Sequence, residues 1–291
     1  MTAAAPAAAP AVPPPEVDGR FVLAAPHPAL LPYVDRYIGY AERVAAGELR
    51  RREVPISRAV LILGWGEPLT VTDPRAPRES PGPLASFATG LWDSYAVTGT
   101  RGLGRGVQMM ITPLGARRLF GLPLGELTNR TVDPADLPGR WLAPLAARLA
   151  ETSGAGGWAA RFALLDRALC DRLAATDPGD PRLAGAWRLL AGSGGRLGVA
   201  ALAERVGWSR CHLSSTVRRE LGLGPKTLAR VLRFERAYDA LGRAATDGWA
   251  AVAAECGYAD QAHLIRDFRE FAGATPVEVA ARRLAAGGIY D

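Results

Sequence analysis

The feature that most constrains this chain is a pattern that occurs twice between Val199 and Pro276. The first copy reads Ser209-Arg210-Cys211-His212-Leu213, then Val217, Leu221-Gly222 and Pro225. The second reads Asp260-Gln261-Ala262-His263-Leu264, then Phe268, Ala272-Gly273 and Pro276. From His to Pro the copies keep an offset of 51 residues, His212 to His263 and Pro225 to Pro276. An Ala-rich segment ending in glycine precedes each, at Gly207 and Gly257. Ala200, Leu202, Ala203 and Val206 predict one short apolar helix, and Gly207 lets the backbone turn. Ser209 is a good N-cap for the next helix, and Asp260 does the same in the second copy. Leu213, Val217 and Leu221 lie at i, i+4 and i+8, a buried stripe that Leu264, Phe268 and Ala272 repeat. Two short helices around a glycine-containing turn have the shape of a helix-turn-helix. The period also fits a helical array, but two repeats rarely stack into a stable solenoid.

Between the stripes lie Arg210, Cys211, Ser214, Ser215, Arg218 and Arg219 in the first copy, and Gln261, Ala262, Arg266 and Arg269 in the second. These types suit a helix in a major groove. Arg donates two bonds to guanine and Gln pairs with adenine, while Ser or a small apolar group approaches base edges or a thymine methyl. Arg and Ser also contact phosphates. A solvated helix face explains a single copy as well; the duplication favours a nucleic-acid contact.

Residues 185 to 285 resemble the DNA-binding domain of AraC/XylS-type transcriptional regulators. The run from Gly257 through Arg266, Phe268 and Phe271 to Gly273 and Pro276 follows the family signature nearly position by position. The resemblance implies two helix-turn-helix units joined by a long helix, here from about Thr227 to Leu241. Leu228, Val231, Phe234, Tyr238 and Leu241 step by three and four along it, and Arg233 falls where the family usually has an arginine. It implies base-facing positions at Cys211, Ser214 and Ser215 in the first unit and at Gln261, Ala262 and Arg266 in the second. The first unit carries small residues where many members carry larger polar ones, which points to phosphate or water-mediated contacts there.

Composition agrees. The net charge of +6 favours an acidic partner such as nucleic acid. Residues 196–283 carry 14 Lys or Arg against 10 Asp or Glu, so most of the excess sits in this domain. Lys226 is the single lysine among 35 basic residues, which with the abundant Ala and Gly reads as coding bias. Cys170, Cys211 and Cys256 are odd in number and far apart, so neither a disulfide framework nor a metal site is expected. A reducing cytoplasm is the simplest setting. No run reaches the length of a membrane span, and no basic-then-apolar leader opens the sequence.

The first half reads differently. Residues 1–19 are an Ala/Pro tail expected to be disordered. Folded structure is expected near Phe21, with a short amphipathic helix carrying Leu31, Val34 and Tyr37 on one face. Ala59 to Trp65 reads as a buried strand, and Leu84 to Gly90, Ser94 to Gly99 and Val107 to Thr112 as further strands. The run Gly102 to Gly106 reads as a turn before the last of these. Helices are expected at Leu114 to Phe120, at Trp141 to Leu149, and along Phe162, Leu165, Leu169 and Leu173. The linker is placed at Thr176 to Pro181. Leu31 to Val34, Gly104 to Ala116 and Phe120 to Pro123 are similar to the N-terminal domain of a subset of the same regulators. That resemblance implies a cupin-like barrel with helices, and no ligand residue is carried over.

Enzyme constellations are missing. His27, His212 and His263 are the only histidines, and the last two precede a buried Leu on the recognition helices, where packing or capping is the expected role. The Gly-rich run lacks a phosphate loop's Lys-Ser/Thr ending, and no Cys-His pair has metal spacing. Trp65, Trp92, Trp141 and Trp158 are expected in the core or walling a pocket. Arg101 and Arg105 are expected in a solvated loop.

The reading is an α+β chain. A sensor domain at residues 20–178, a small β-barrel with helices, precedes an all-α double helix-turn-helix domain at residues 183–286. Its function is sequence-specific binding of double-stranded DNA through Arg210, Cys211, Ser214, Ser215, Arg218, Gln261, Ala262, Arg266 and Arg269. Expected partners are operator DNA, RNA polymerase, a small-molecule effector and a second copy of the chain. No cofactor, metal or membrane is expected. The alternatives are a DNA-alkylation repair protein on the same helical domain, which would need a zinc-bound cysteine cluster, and a binding module that has lost DNA recognition.

Overall fold

The computed structural model describes residues 17–152, 157–244, 248–284 and 288–290. Most of the Ala/Pro tail thus lies outside the described residues, as does part of the expected end of the helical domain. The first described residues correct the tail's boundary: β1 (Val17–Ala24) already includes Val17 to Gly19.

The N-terminal half is built on one antiparallel sheet. β2 (Val34–Glu53) and β6 (Ala96–Ile111) are its long strands and pair with each other, with register shifts at Val34/Arg36 and Val44/Leu49. Each long strand has two sets of outer neighbours. β1 pairs with the first part of β2, and β8 (Ile289–Tyr290) with Arg51 and Arg52 near its end. β3 (Ala59–Gly64) pairs with the end of β6 and β4 (Thr70–Thr72) with its start. β5 (Phe87–Thr89) and β7 (Thr131–Val132) extend the sheet beyond β3.

The two-residue period of a strand divides the sheet's faces. Tyr37, Leu61, Leu63, Val107, Met109 and Ile111 are fully buried in the main core. There they join residues of α1 (Pro113–Phe120), α2 (Leu142–Glu151) and α3 (Gly157–Ala174). Phe162 stacks on Tyr37 at 5.7 Å, and Asp166 accepts the Tyr37 hydroxyl at 2.9 Å. Trp158 stacks on Phe162 and lies where a Cβ at Gly39 would stand, 2.4 Å from its ring. The alternate residues Ile38, Tyr40, Val60, Ile62, Gln108 and Met110 line a cavity on the other side.

Three expectations are corrected here. The segment carrying Val34 and Tyr37 is strand rather than helix, and Leu31 is exposed. The i, i+3 spacing of Val34 and Tyr37 imitates a helix because a bulge after Val34 shifts the two-residue alternation. The two segments expected on either side of Gly102–Gly106 are one strand, and the glycine run continues it. A Cβ at Gly106 would lie 2.7 Å from the Tyr40 hydroxyl oxygen and 2.8 Å from the Leu63 carbonyl oxygen, so close approach explains that glycine. β8, beyond the helical domain, was not foreseen.

The C-terminal half is helical. Asp180 caps α4 (Pro181–Gly192), accepting from the Arg182 amide at 2.8 Å. α5 (Val199–Val206) and α6 (Arg210–Leu221) form the first unit. α8 (Trp249–Cys256) and α9 (Gln261–Ala272) form the second, and α10 (Pro276–Arg282) follows. Between the units runs α7 (Pro225–Asp239), ending in a 3-10 turn at Ala240–Arg243. Leu228, Val231, Phe234, Tyr238 and Leu241 are all buried, as the spacing predicts. Phe234 is the centre of this packing, with the rings of Phe268 at 4.9 Å and Phe271 at 5.2 Å. Arg233 donates to the Gly195 carbonyl at 2.7 Å, tying α7 to the turn after α4.

Candidate nucleic-acid interface

The two units repeat each other in chemistry as well as sequence. Gly207 and Gly257 both adopt the left-handed conformation, φ 68° and 85°, that ends a helix at low cost only for glycine. The Ser209 hydroxyl accepts from the His212 amide at 3.1 Å, and the Asp260 carboxylate accepts from the His263 amide at 2.6 Å. The second turn is one residue longer, since Gly207 to Ser209 corresponds to Gly257 to Asp260. An aromatic residue follows each glycine and meets the histidine edge-on: Trp208 with His212 at 4.9 Å and Tyr258 with His263 at 5.1 Å. Both histidines therefore pack, as their positions predict.

The stripes are buried: Leu213, Val217 and Leu221 in α6, and Leu264, Phe268 and Ala272 in α9. The opposite faces are open. Arg210, Cys211, Ser215, Arg218, Gln261, Ala262, Arg266 and Arg269 are exposed, and Ser214 is half-buried. Ser215 donates its hydroxyl to the His212 carbonyl at 3.1 Å, leaving its oxygen available as an acceptor.

The arginines of the domain divide into engaged and open groups. Arg230, Arg233, Arg236 and Arg283 are engaged by Asp267 and Glu270, or by the carbonyls of Gly195, Glu255 and Tyr238. Among the described residues, Arg210, Arg218, Arg266 and Arg269 donate no side-chain hydrogen bond and form no ion pair. Four exposed cations on two equivalent faces are available for an external anion, as are Arg196, Arg205 and Arg282 elsewhere in the domain.

Both recognition helices are held at equivalent C-terminal ends by the N-terminal half. Thr128 donates to the Gly222 carbonyl at 2.7 Å, and Arg52 to the Gly273 carbonyl at 3.3 Å. Arg117 on α1 pairs with Glu220 on α6 at 2.5 Å. Burial raises the Glu220 carboxyl, but Arg117 and Arg219 outweigh it and hold the group below the usual range. Sequence reasoning missed these contacts, because nothing local to Arg52, Arg117 or Thr128 marks them.

The cavity behind the sheet has a volume of about 720 Å³. Phe87 and Trp92 complete its apolar wall, and Leu232, Phe234, Glu235 and Tyr238 of α7 close it from the helical side. The helix between the two units therefore forms part of its lining. Of the other tryptophans, Trp65 and Trp158 flank Arg161, at 4.9 and 5.0 Å, and Trp141 lies under Arg172. Arg101 pairs with Glu48 at 3.6 Å and lies in β6 with Arg105 rather than in a loop.

No group of His, Cys, Asp or Glu among the described residues could hold a metal ion. Cys170 is half-buried, and burial together with Asp166 and Asp171 pushes its thiol up, away from an activated thiolate. No helix among the described residues is long and apolar enough to cross a membrane.

Residues 202–282 match the family model of a helix-turn-helix domain. The matched span takes in both helix-turn-helix units and the helix between them. No curated protein matches the chain in sequence. Among solved structures, ToxT from Vibrio cholerae O395 is 10% identical, with a TM-score of 0.47 over 91% of this chain and 97% of that one. Wild-type ToxT from Vibrio cholerae strain SCE256 with a bound unsaturated fatty acid is 11% identical, with a TM-score of 0.42 over 80% and 90%.

Proposed function

We propose that the chain is a transcriptional regulator that binds double-stranded DNA through α6 and α9 and answers to a small molecule in the cavity. The observation that carries this is the pair of equivalent open faces bearing unpartnered Arg210, Arg218, Arg266 and Arg269. Unpartnered guanidinium groups can neutralise phosphates and release counterions at no cost in broken internal ion pairs. One polypeptide holding two readers suits an asymmetric site, with the helices entering successive major grooves about 34 Å apart. Regulation then has a direct route. A ligand in the cavity touches α7, which packs against both recognition helices, and the N-terminal half grips both helix ends. The division into a sensor at residues 20–178 and a DNA reader at residues 183–286 follows from this reading.

Two substitutions test it. Arg266→Ala should cost about 1–3 kcal/mol on a specific site and relax the preference at one base pair. Arg218→Ala should weaken binding to every sequence and lower the salt slope by about one. Binding titrations at several salt concentrations on specific and random duplexes give both quantities. Equal loss from Arg266→Ala on both duplexes removes it from base reading, and an unchanged slope removes Arg218 from the phosphate contacts.

A further inference from the structure

The cavity joins an apolar wall to a charged end whose groups are unevenly satisfied. Glu42 is 7% exposed. One of its oxygens pairs with Arg51, while Oε1 is buried without a partner. Glu53, on the same strand and lining the same cavity, accepts a hydrogen bond from Thr98 at 3.2 Å and has no ion pair within the described residues. Each arginine of the cavity has a partner, although Arg51 Nε and Arg58 Nε are buried without one. Arg36 and Arg58 face Asp35 at 3.5 and 3.7 Å, Arg51 faces Glu42, and Arg236 and Arg283 donate to backbone carbonyls. The end near Glu42, Arg51 and Glu53 thus holds two carboxyl groups and one guanidinium, with one buried acceptor, Glu42 Oε1, and one buried donor, Arg51 Nε, left over.

Burying a carboxylate without a cation is costly, and the usual relief is protonation or a bound cation. Burial drives the Glu53 carboxyl above its ordinary range, further raised by Glu42, while Arg51 and the Thr98 hydroxyl only partly offset it. The other side of the cavity offers Ile38, Val60, Ile62, Phe87, Trp92 and Met110. Ligand cavities of several hundred Å³ commonly combine such walls with a few fixed polar groups.

Resting on the reading of this cavity as the effector site, we infer that it takes a small organic cation: a protonated amine on an apolar or aromatic body. The ammonium group donates to the Glu53 carboxylate beside Glu42, and the body lies along the wall that ends at Phe87 and Trp92. An acidic ligand would bring a third negative group to that end, where the one guanidinium already faces Glu42 and its unpartnered Nε is buried.

Three isosteric probes separate the classes: phenethylammonium, 2-phenylethanol and 3-phenylpropionate, each titrated calorimetrically into the full chain at millimolar concentration. Phenethylammonium should bind, the alcohol more weakly, and the carboxylate not measurably. Glu53→Gln keeps the shape of the protonated side chain, so the variant should fold; it should lower phenethylammonium affinity at least tenfold while leaving the alcohol unchanged. Binding of the carboxylate as tightly as the amine overturns the inference, as does an affinity for the amine that Glu53→Gln leaves intact or the failure of all three probes to bind. A gel shift on selected DNA, run without any probe, reads the DNA-binding proposal separately. Its failure beside amine binding would sink the regulator and leave the cation site standing.

Discussion

Phe268→Ala should remove about 3–5 kcal/mol from the stability of the helical domain. Phe268 is fully buried and its ring meets Phe234 at 4.9 Å, at the junction of α7 and α9. Deleting it leaves a void walled by Phe234, Leu264 and Phe271, which the rigid crossing of two helices cannot close. The loss combines the transfer free energy of the ring with the unfilled space. Chemical denaturation should show a lower midpoint, and specific and random DNA should both be bound more weakly, because α9 loses its seat. A change within about 0.5 kcal/mol, the range of ordinary surface substitutions, would show that Phe268 does not anchor the second unit.

Arg230→Ala should be nearly as damaging, for an electrostatic reason. Arg230 reaches from α7 to Asp267 at 2.7 Å and Glu270 at 2.9 Å on α9, and stacks over Phe271. Asp267 is 3% exposed, so removing the guanidinium strands a carboxylate where water cannot solvate it. Breaking a buried pair from one side costs about 3–5 kcal/mol, whereas replacing both partners by apolar residues is often neutral. Arg230 keeps a quarter of its side chain exposed, which places the expected loss at the lower end of that range. The double variant Arg230→Met with Asp267→Leu should recover most of it. Equal losses in the single and double variants would mean that the pair itself, rather than the stranded charge, carries the energy.

The helical half was legible because its signals are local. The caps at Ser209 and Asp260, the glycines at 207 and 257 and the period of Leu213, Val217 and Leu221 each act within a few residues, and each is realised. Of the nine proposed contact residues, Ser214 alone is half-buried rather than exposed. The sheet was harder to read. A bulge after Val34 gave β2 a false helical spacing, and the glycines within β6 resembled a turn, although Gly106 is set by the close approach of Tyr40 and Leu63. The grip on the recognition helices was beyond sequence reasoning, because Arg52 meets Gly273 and Arg117 meets Glu220 across long separations. Long-range polar contacts leave no periodic trace. The cavity was foreseen only as a class of feature. Which carboxylates it would gather depended on the register of β2 against β6.

Selection of bound duplexes from a random pool by the full-length protein is the most direct measurement. Two distinct short motifs, centred about one helical turn apart in a fixed order, are the predicted result. Arg266→Ala should erase information in one motif and leave the other intact. A pool that enriches no sequence, or a single motif that survives substitution in both α6 and α9, would contradict the claim that this chain carries two DNA readers.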